Sequence, residues 1–266
     1  MATKTRKVSA ETFLRRVKSL YGTVRADIRE ALRKVDNRPE KLPEELWKEI
    51  EDKERRVLLY LLMGFSIAAF DDAFGFLDDE YPGDIDYDTA RGELETALYK
   101  RADWTAGKIT ETTRNRLLSG MERRGEDDSV DSVLDGVLSP ARVDTLVRTE
   151  MRAAANIPNN VLTTLSTAND VYLVWKLGPT ERHCPLCPLL HGTDREFWGR
   201  WVPAGPPTPH IGCLCRTEIV IGDYDWLRET GQLLPYPTAR QVRDAMRLLG
   251  VPLESREDFG FSFRRS

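Results

Sequence analysis

The sequence predicts an α+β fold, with mainly long α-helices in the N-terminal half and a small C-terminal α+β module built round a Cys/His cluster. Apolar residues recur at three- and four-residue spacing through residues 10–168, which is typical of amphipathic helices. β-branched and aromatic runs typical of strands occur at 171–177 and 217–221. All four cysteines and all three histidines lie between those two runs, so the cluster belongs to the module that the strands define.

Residues 10–35 predict the first helix, because apolar residues share one face and basic residues occupy the other. The apolar positions are Phe13, Leu14, Val17, Leu20, Tyr21, Val24, Ile28 and Leu32. Arg15, Arg16, Arg25 and Arg29 on the basic face are candidate contacts to nucleic acid or to an acidic partner. A solvated helix face carries the same pattern, so both interpretations stay open.

A second helix is predicted to begin at Pro43 and to continue through the apolar run 57–70. That run is shorter than the roughly 20 residues needed to cross a bilayer, so we expect a core helix and no membrane contact. Because the run is apolar on every face, we expect burial on every face. The acidic residues of 71–88 predict an exposed connection after it.

The remaining elements follow from periodicity and helix punctuation. Helices are predicted over 89–121 and 129–138, and another opens at Ser139-Pro140 and ends before Pro158. A short helix is predicted over 161–168, a connector over 224–237 and a terminal helix over 238–249. The two strands are expected to pair and to close a small sheet with the Cys/His cluster at one end.

The cysteines and one histidine form two groups with metal-ligand spacing. Cys184 and Cys187 form a C-x-x-C knuckle, and His210, Cys213 and Cys215 form an H-x-x-C-x-C group. Zinc prefers four thiolate or imidazole ligands in a tetrahedron, often as two close pairs from two loops. The cluster therefore predicts a structural zinc site. Five candidates compete for four places, and the favoured set is Cys184, Cys187, His210 and Cys213, with Cys215 as the substitute.

Several alternatives compete with zinc. The thiols can be reduced and packed without a metal, or they can form two disulfides, which a reducing cytoplasm disfavours. No secretory signal is visible in residues 1–10. A thiol–disulfide oxidoreductase places its cysteines in an alternating strand and helix pattern that this chain lacks. A zinc deaminase needs an H-x-E motif, which none of the three histidines begins.

The order of features from Arg148 to Arg216 resembles the phage Mu F-like family of minor head, or head morphogenesis, proteins of tailed bacteriophages. The residues that carry the resemblance are Arg148-Thr149-Glu150-Met151-Arg152, Asn156, Val174-Trp175-Lys176, Glu181 to Cys187, Leu190-His191-Gly192, Pro206-Pro207, His210 and Cys213-Leu214-Cys215-Arg216. The helix from Trp104 to Arg116 also looks like the family's approach to that module. The chain departs from the family at Ile211 and Leu214, and neither change removes a candidate ligand.

The resemblance implies a structural role without catalytic residues. It implies a minor capsid protein of the virion, at the capsid interior or portal vertex after assembly in the host cytoplasm. Portal protein, major capsid or scaffold protein and packaged DNA are its implied partners, and head assembly or genome delivery its implied process. It also implies an internal ion pair between Arg148 and Glu150.

The sequence pattern and the resemblance, which before Trp104 is compositional only, together give the chain three expected parts. These are a helical docking region over 1–138, the head morphogenesis module over 139–222, and a connector, helix and tail over 223–266. Two other functions stay open from the residues themselves. One is a metal-dependent nuclease or hydrolase with an open coordination position, and the other is a nucleic-acid-binding zinc module.

Overall fold

The computed structural model describes residues 9–123, 129–180, 183–202, 205–206 and 213–249, and it has the α+β fold that the sequence predicts. The helices are α1 Ala10–Lys34, α2 Glu44–Glu80, α3 Tyr87–Glu122, α4 Val130–Val137, α5 Pro140–Leu165, α6 Cys187–Leu190, α7 Arg195–Trp198, α8 Tyr224–Glu229 and α9 Ala239–Leu248. The strands are β1 Val171–Lys176 and β2 Arg216–Ile221, and a short 3-10 turn covers Pro39–Lys41.

The chain divides into two compact units. Unit 1 comprises Met1–Leu61 and Tyr99–Val147, and unit 2 comprises Leu62–Leu98 and Arg148–Ser266. The three parts expected from the sequence follow the chain in order, whereas each unit is assembled from separated segments. The difference arises because α2, α3 and α5 each contribute residues to both units, which a division in chain order does not anticipate.

Helix α1 confirms its predicted pattern. The hydroxyl of Ser9 caps its start by accepting from the backbone N–H of Thr12 at 3.1 Å. The residues of its apolar face that are buried within unit 1 are Phe13, Val17, Tyr21, Val24, Ile28 and Leu32. Their three- and four-residue spacing forms a single stripe, so burial of that stripe holds the helix against the rest of the unit.

Helix α2 is longer than predicted. The sequence placed an exposed acidic connection over 71–88, but residues 71–80 continue the helix and only 81–86 form the turn. The reason is that Phe70 and Leu77, at 0% and 2% exposure, extend the buried stripe by two turns. Acidic side chains between them occupy the opposite, exposed face, where a helix tolerates charge.

Burial along α2 is one-sided, so the expectation of burial on every face is wrong. Leu58, Leu61 and Leu62 are buried, whereas Tyr60 is 50% exposed. Among the described residues, α2 is also the one helix long and apolar enough to cross a membrane. An 18-residue window of it has a mean hydropathy of 1.7, and 28% of that window is buried. A core helix of a soluble protein passes the same test, so the absence of membrane contact stays a prediction.

Helix α5 passes through Pro158 instead of ending before it. Proline has no N–H, so the carbonyl of Ala154, four residues earlier, loses its helical partner. The buried hydroxyl of Ser66 on α2 donates to that carbonyl at 2.8 Å. Because Ser66 supplies the missing donor within unit 2, the helix continues to Leu165, and the separate helix predicted over 161–168 is part of α5.

Replacing Ser66 with alanine is expected to lower the free energy of unfolding by about 1–2 kcal/mol, since the buried carbonyl of Ala154 is left without a donor. Urea unfolding followed by circular dichroism measures the change. The matched control is Ser19→Ala on α1, where the serine is exposed. Equal effects for the two substitutions would contradict the assigned role of Ser66.

The two predicted strands pair as expected. β1 and β2 are antiparallel, in a register that joins Val171 to Ile221 and Lys176 to Arg216. The opposite edge of β1 is partly covered, because the N–H of Trp175 donates to the Thr193 carbonyl at 3.0 Å. Thr193 therefore lies along one edge of β1 and β2 lies along the other. The residues that carry the two cysteine groups are both held close to β1.

Candidate metal centre

The cysteines of the two sequence groups converge in unit 2. Donor atoms of Cys187, Cys213 and Cys215 all lie within 4.8 Å of one another, and all three residues are buried. The sulfur of Cys184, which is half-buried, lies 3.1 Å from that of Cys187. This buried cluster could hold a metal ion, and it contains both ends of the predicted site.

The knuckle is formed by the turn into α6. Cys187 is the first residue of that helix, and its backbone N–H donates to the sulfur of Cys184 at 3.3 Å. Such an N–H to sulfur bond fixes the turn between the two cysteines and orients both sulfurs towards one point. Pro188 follows directly, at a helix start where a missing N–H costs nothing.

The second cysteine pair is anchored by Asn156 on α5. Its carboxamide oxygen accepts from the N–H of Thr217 at 2.9 Å, and its amide nitrogen donates to the carbonyls of Pro206 at 3.1 Å and Cys215 at 3.5 Å. Asn156 is 2% exposed, so these bonds form in a dry environment where they are strong. They place Cys213 and Cys215 immediately before β2.

An apolar core surrounds the sulfurs. The buried residues that pack with the three cysteines are Leu173, Trp175, Leu186, Leu190, Phe197, Trp198, Val202, Val242, Ala245 and Met246. Trp198 has no exposed surface, and its indole N–H donates to the Leu173 carbonyl at 3.2 Å. This apolar shell limits the contact of the sulfurs with water.

Burial and the neighbouring sulfurs raise the pKa values of two of the thiols, Cys187 and Cys215. Hydrogen bonds with Cys184 and Cys213, together with burial, strongly raise the pKa of Cys187. The bond with Cys187 lowers the pKa of Cys215, but the bond with Cys213 and burial outweigh it and raise that pKa to about 11. A buried dication reverses this balance, because thiolates bound to a metal are deprotonated outright.

Gly178 is required by the approach of the two loops. A Cβ at this position would lie 2.2 Å from the carbonyl oxygen of Leu214, the residue between Cys213 and Cys215. Real side chains do not tolerate such a contact with backbone, so any larger residue would displace the second cysteine pair.

Gly178→Ala is therefore expected to lower the free energy of unfolding by about 2 kcal/mol through overpacking. The matched control is Gly22→Ala on α1, where a Cβ meets nothing within 4 Å. That control should be neutral or stabilising, because alanine is a better helix former than glycine. Chemical denaturation of both variants checks the contrast, and equal destabilisation by the two would refute it.

The structure does not test the preference for His210 over Cys215 as the fourth ligand. Cys215, the predicted substitute, belongs to the buried cluster, and His210 lies outside the described residues. His191 is not part of the three-sulfur group, and its Nδ1 accepts from the N–H of Leu177 at 3.3 Å. Burial and the nearby charge of Lys176 lower the pKa of His191.

One sulfur–sulfur distance matches the edge of a tetrahedral thiolate site, and another is shorter. With zinc–sulfur bonds of about 2.3 Å, the sulfurs of a tetrahedron are about 3.8 Å apart. The sulfurs of Cys187 and Cys213 are 3.7 Å apart, which matches that edge. The 3.1 Å between Cys184 and Cys187 is shorter, so metal binding requires Cys184 to move outwards by roughly 0.7 Å.

The basic residues of α1 lie in unit 1 and have partners there. Arg25 pairs with Asp135 at 2.6 Å, and Arg29 pairs with Asp131 at 2.5 Å, both acids being on α4. Arg16 lies over the ring of Tyr60 at 4.4 Å. Arg15 is exposed. Contact with nucleic acid through Arg15, Arg16, Arg25 and Arg29 stays a prediction, and for Arg25 and Arg29 it requires breaking an ion pair.

The ion pair implied between Arg148 and Glu150 is not supported by exposure. Glu150 is 1% exposed, whereas Arg148 is exposed on the surface of α5. Residues two apart do not face each other on a helix, which explains the difference. Asn156, also part of the resemblance, is by contrast central to the site.

No protein-family model, curated protein or solved structure matches the chain.

Proposed function

We propose that this chain is a structural protein whose C-terminal module is held together by one zinc ion on Cys184, Cys187, Cys213 and Cys215. The observation that supports it most is the burial of three mutually adjacent cysteine sulfurs with a fourth sulfur 3.1 Å from one of them. Four thiolates complete zinc's tetrahedron and leave no position for substrate. A closed site stabilises the fold and takes no part in chemistry.

We further propose that the protein acts as a minor head protein of a tailed phage. The resemblance of Arg148 to Arg216 to the phage Mu F-like family supports this function, and Asn156 and the four cysteines are among the residues that carry it. The role is binding and scaffolding beside the portal, with major capsid or scaffold protein and packaged DNA as further partners.

Metal analysis of the purified protein tests the zinc site. We expect one zinc per chain by elemental mass spectrometry, with sulfur-only coordination in X-ray absorption spectra. Cobalt substitution should give the intense visible absorption of a tetrahedral thiolate complex. A protein that binds no metal when zinc is supplied under reducing conditions would overturn the site.

An open catalytic site is the main competitor, and one observation favours it: Cys184 is half-buried, whereas the other three cysteines are buried. A three-thiolate site would leave the fourth position to water, as in a metal-dependent hydrolase. Cys184→Ser separates the two functions. Loss of zinc affinity supports the closed site, whereas unchanged affinity together with DNA degradation supports the nuclease.

Mass spectrometry of purified phage particles tests the head assignment. We expect this chain to copurify with portal protein at low copy number and to remain after tails are removed. Its recovery only from the unassembled fraction of the lysate would overturn the assignment without touching the zinc site.

A further inference from the structure

A second site lies in unit 2, away from the cysteine sulfurs. A cleft of about 700 Å³ opens between the end of α5, the start of β1, α7, α8 and the loop before α9. The lining residues that bear on its chemistry are Tyr172, Asp194, Arg195, Glu196, Tyr224 and Tyr236. Clefts of 300–1,000 Å³ are the usual size for organic ligands and short peptide segments.

A buried carboxylate forms part of the wall. Asp194 is 4% exposed and caps α7, where Oδ1 accepts from the N–H of Phe197 at 3.1 Å. Its Oδ2 accepts from the hydroxyl of Tyr236 at 2.5 Å. A carboxylate has about four acceptor positions, so Asp194 retains capacity for further donors.

The tyrosines beside Asp194 are oriented by a chain of hydrogen bonds. Arg228 donates to the hydroxyl of Tyr224 at 3.3 Å, and Tyr224 donates to the hydroxyl of Tyr236 at 3.3 Å. Tyr236 then donates to Asp194. Both phenol protons are thus committed, and these groups offer a ligand acceptor positions only. This part of the wall, formed by Asp194, Tyr224 and Tyr236, suits a ligand that is rich in N–H donors.

The charges around the cleft favour a cation as well. Burial raises the pKa of Tyr172, and the negative charges of Asp194, Asp170 and Asp223 raise it further. Among the lining side chains, the guanidinium of Arg195 bonds the Thr164 hydroxyl. Glu196 adds a carboxylate at the rim, where its side chain is 80% exposed and pairs with Arg200 at 3.0 Å.

We propose that this cleft binds a lysine or arginine side chain presented by a short extended segment of a partner polypeptide. The head group would donate to Asp194 and to the phenol oxygens, while its alkyl stem packs on the outer surface of the Tyr172 and Tyr224 rings, which contact each other with centroids 5.8 Å apart. The volume exceeds that of one ammonium group several-fold, so flanking peptide residues occupy the remainder. The inference does not rest on the proposed zinc site or head function.

The test is an NMR titration of the full chain with a capped pentapeptide that alternates alanine and lysine. We expect amide shifts at residues 169–173 and 194–196, with affinity that falls as salt screens the charges. The same pentapeptide with glutamine for lysine should cause no shifts. Equal shifts from the two peptides, or none from the lysine peptide at millimolar concentration, would overturn the proposal.

Two variants and one competitor sharpen the result. Glu196→Gln should weaken lysine-peptide binding about threefold, as an exposed charge does, whereas Glu229→Gln, an exposed control on α8 outside the cleft, should not. Asp194→Asn keeps a side chain that caps helices equally well, and it should weaken binding tenfold or more while the spectrum stays dispersed. Unchanged affinity in Asp194→Asn refutes the carboxylate's role. Spermidine binding as tightly as the peptide, with the same dependence on Asp194, would overturn the polypeptide as occupant.

Discussion

Replacing Cys187 with serine is expected to unfold the region around the cysteine cluster, with a loss of roughly 10 kcal/mol of folding free energy when zinc is present. The sulfur of Cys187 connects the two cysteine groups, because it lies 3.1 Å from that of Cys184 and 3.7 Å from that of Cys213. Cys187 is 1% exposed. Serine removes a thiolate that the metal requires, so the apolar core around Cys187 loses the metal that would connect its two loops.

Limited proteolysis and circular dichroism measure this loss. We expect cleavage within residues 171–249, while the far-ultraviolet signal keeps most of its amplitude because α1 to α5 contribute most helical residues. Treating the native protein with a strong zinc chelator is the matched control, and it should reproduce the cleavage pattern. The same chelator should leave Cys187→Ser unchanged. Without a metal, the substitution would cost only about 1–3 kcal/mol, and chelation would have no effect on either protein.

Glu54→Gln is expected to stabilise unit 1 by up to roughly 4 kcal/mol at pH 8 and to have little effect near pH 4.5. Glu54 lies on α2 at 1% exposure, and burial raises the pKa of its carboxyl from 4.5 to about 8. Its Oε2 accepts from the hydroxyl of Thr110 at 2.8 Å, whereas Oε1 is buried without a partner.

Burial sets the sign of the effect and outweighs Thr110 and Arg142, which lower the pKa of Glu54. Tyr21 approaches from α1 and Arg142 from α5, where burial lowers the pKa of the guanidinium, and Glu51 is one turn away on α2. The folded state therefore holds the proton of Glu54 through a pH range in which the unfolded chain has released it. Stability from the neutral carboxyl is complete below pH 4.5 and is lost progressively as the pH rises towards 8.

Urea unfolding at pH 5 and pH 8 measures this dependence. The native protein should lose stability between the two values, and Glu54→Gln should lose much less, because the amide does not titrate. Glu49→Gln, at an exposed position on the same helix, is the control and should follow the native profile. A variant whose stability falls with pH as steeply as that of the native protein would contradict the assignment.

The sequence predicted those features that depend on local pattern. The stripe from Phe13 to Leu32 identified α1, and the β-branched runs identified both strands and their pairing. The two cysteine groups identified the candidate site, because ligand spacing is itself local. Element type and the existence of the site were therefore accessible without coordinates.

The features that sequence reasoning missed depend on partners far along the chain. Pro158 predicted a helix end. The helix continues because Ser66 donates to the carbonyl of Ala154, and these two residues are 88 positions apart in the sequence. The acidic residues after Phe70 suggested a loop, but burial of Leu77 kept them helical. The cleft was missed because Asp194 and Tyr236 are 42 residues apart. Asp223, which caps α8 by accepting from Asp225 and Trp226, was a local signal that the sequence analysis overlooked.

Helix α9 supplies Val242, Ala245 and Met246 to the same core that holds the cysteines. On the ribosome, all four thiols emerge before this helix does, so they stay exposed to the surrounding solution until α9 has emerged and packed. For the proposed zinc site, metal uptake would then compete with thiol oxidation, and we expect the yield of folded recombinant protein to depend on zinc in the growth medium. A truncation before α9 would remove Val242, Ala245 and Met246 from the shell around the sulfurs.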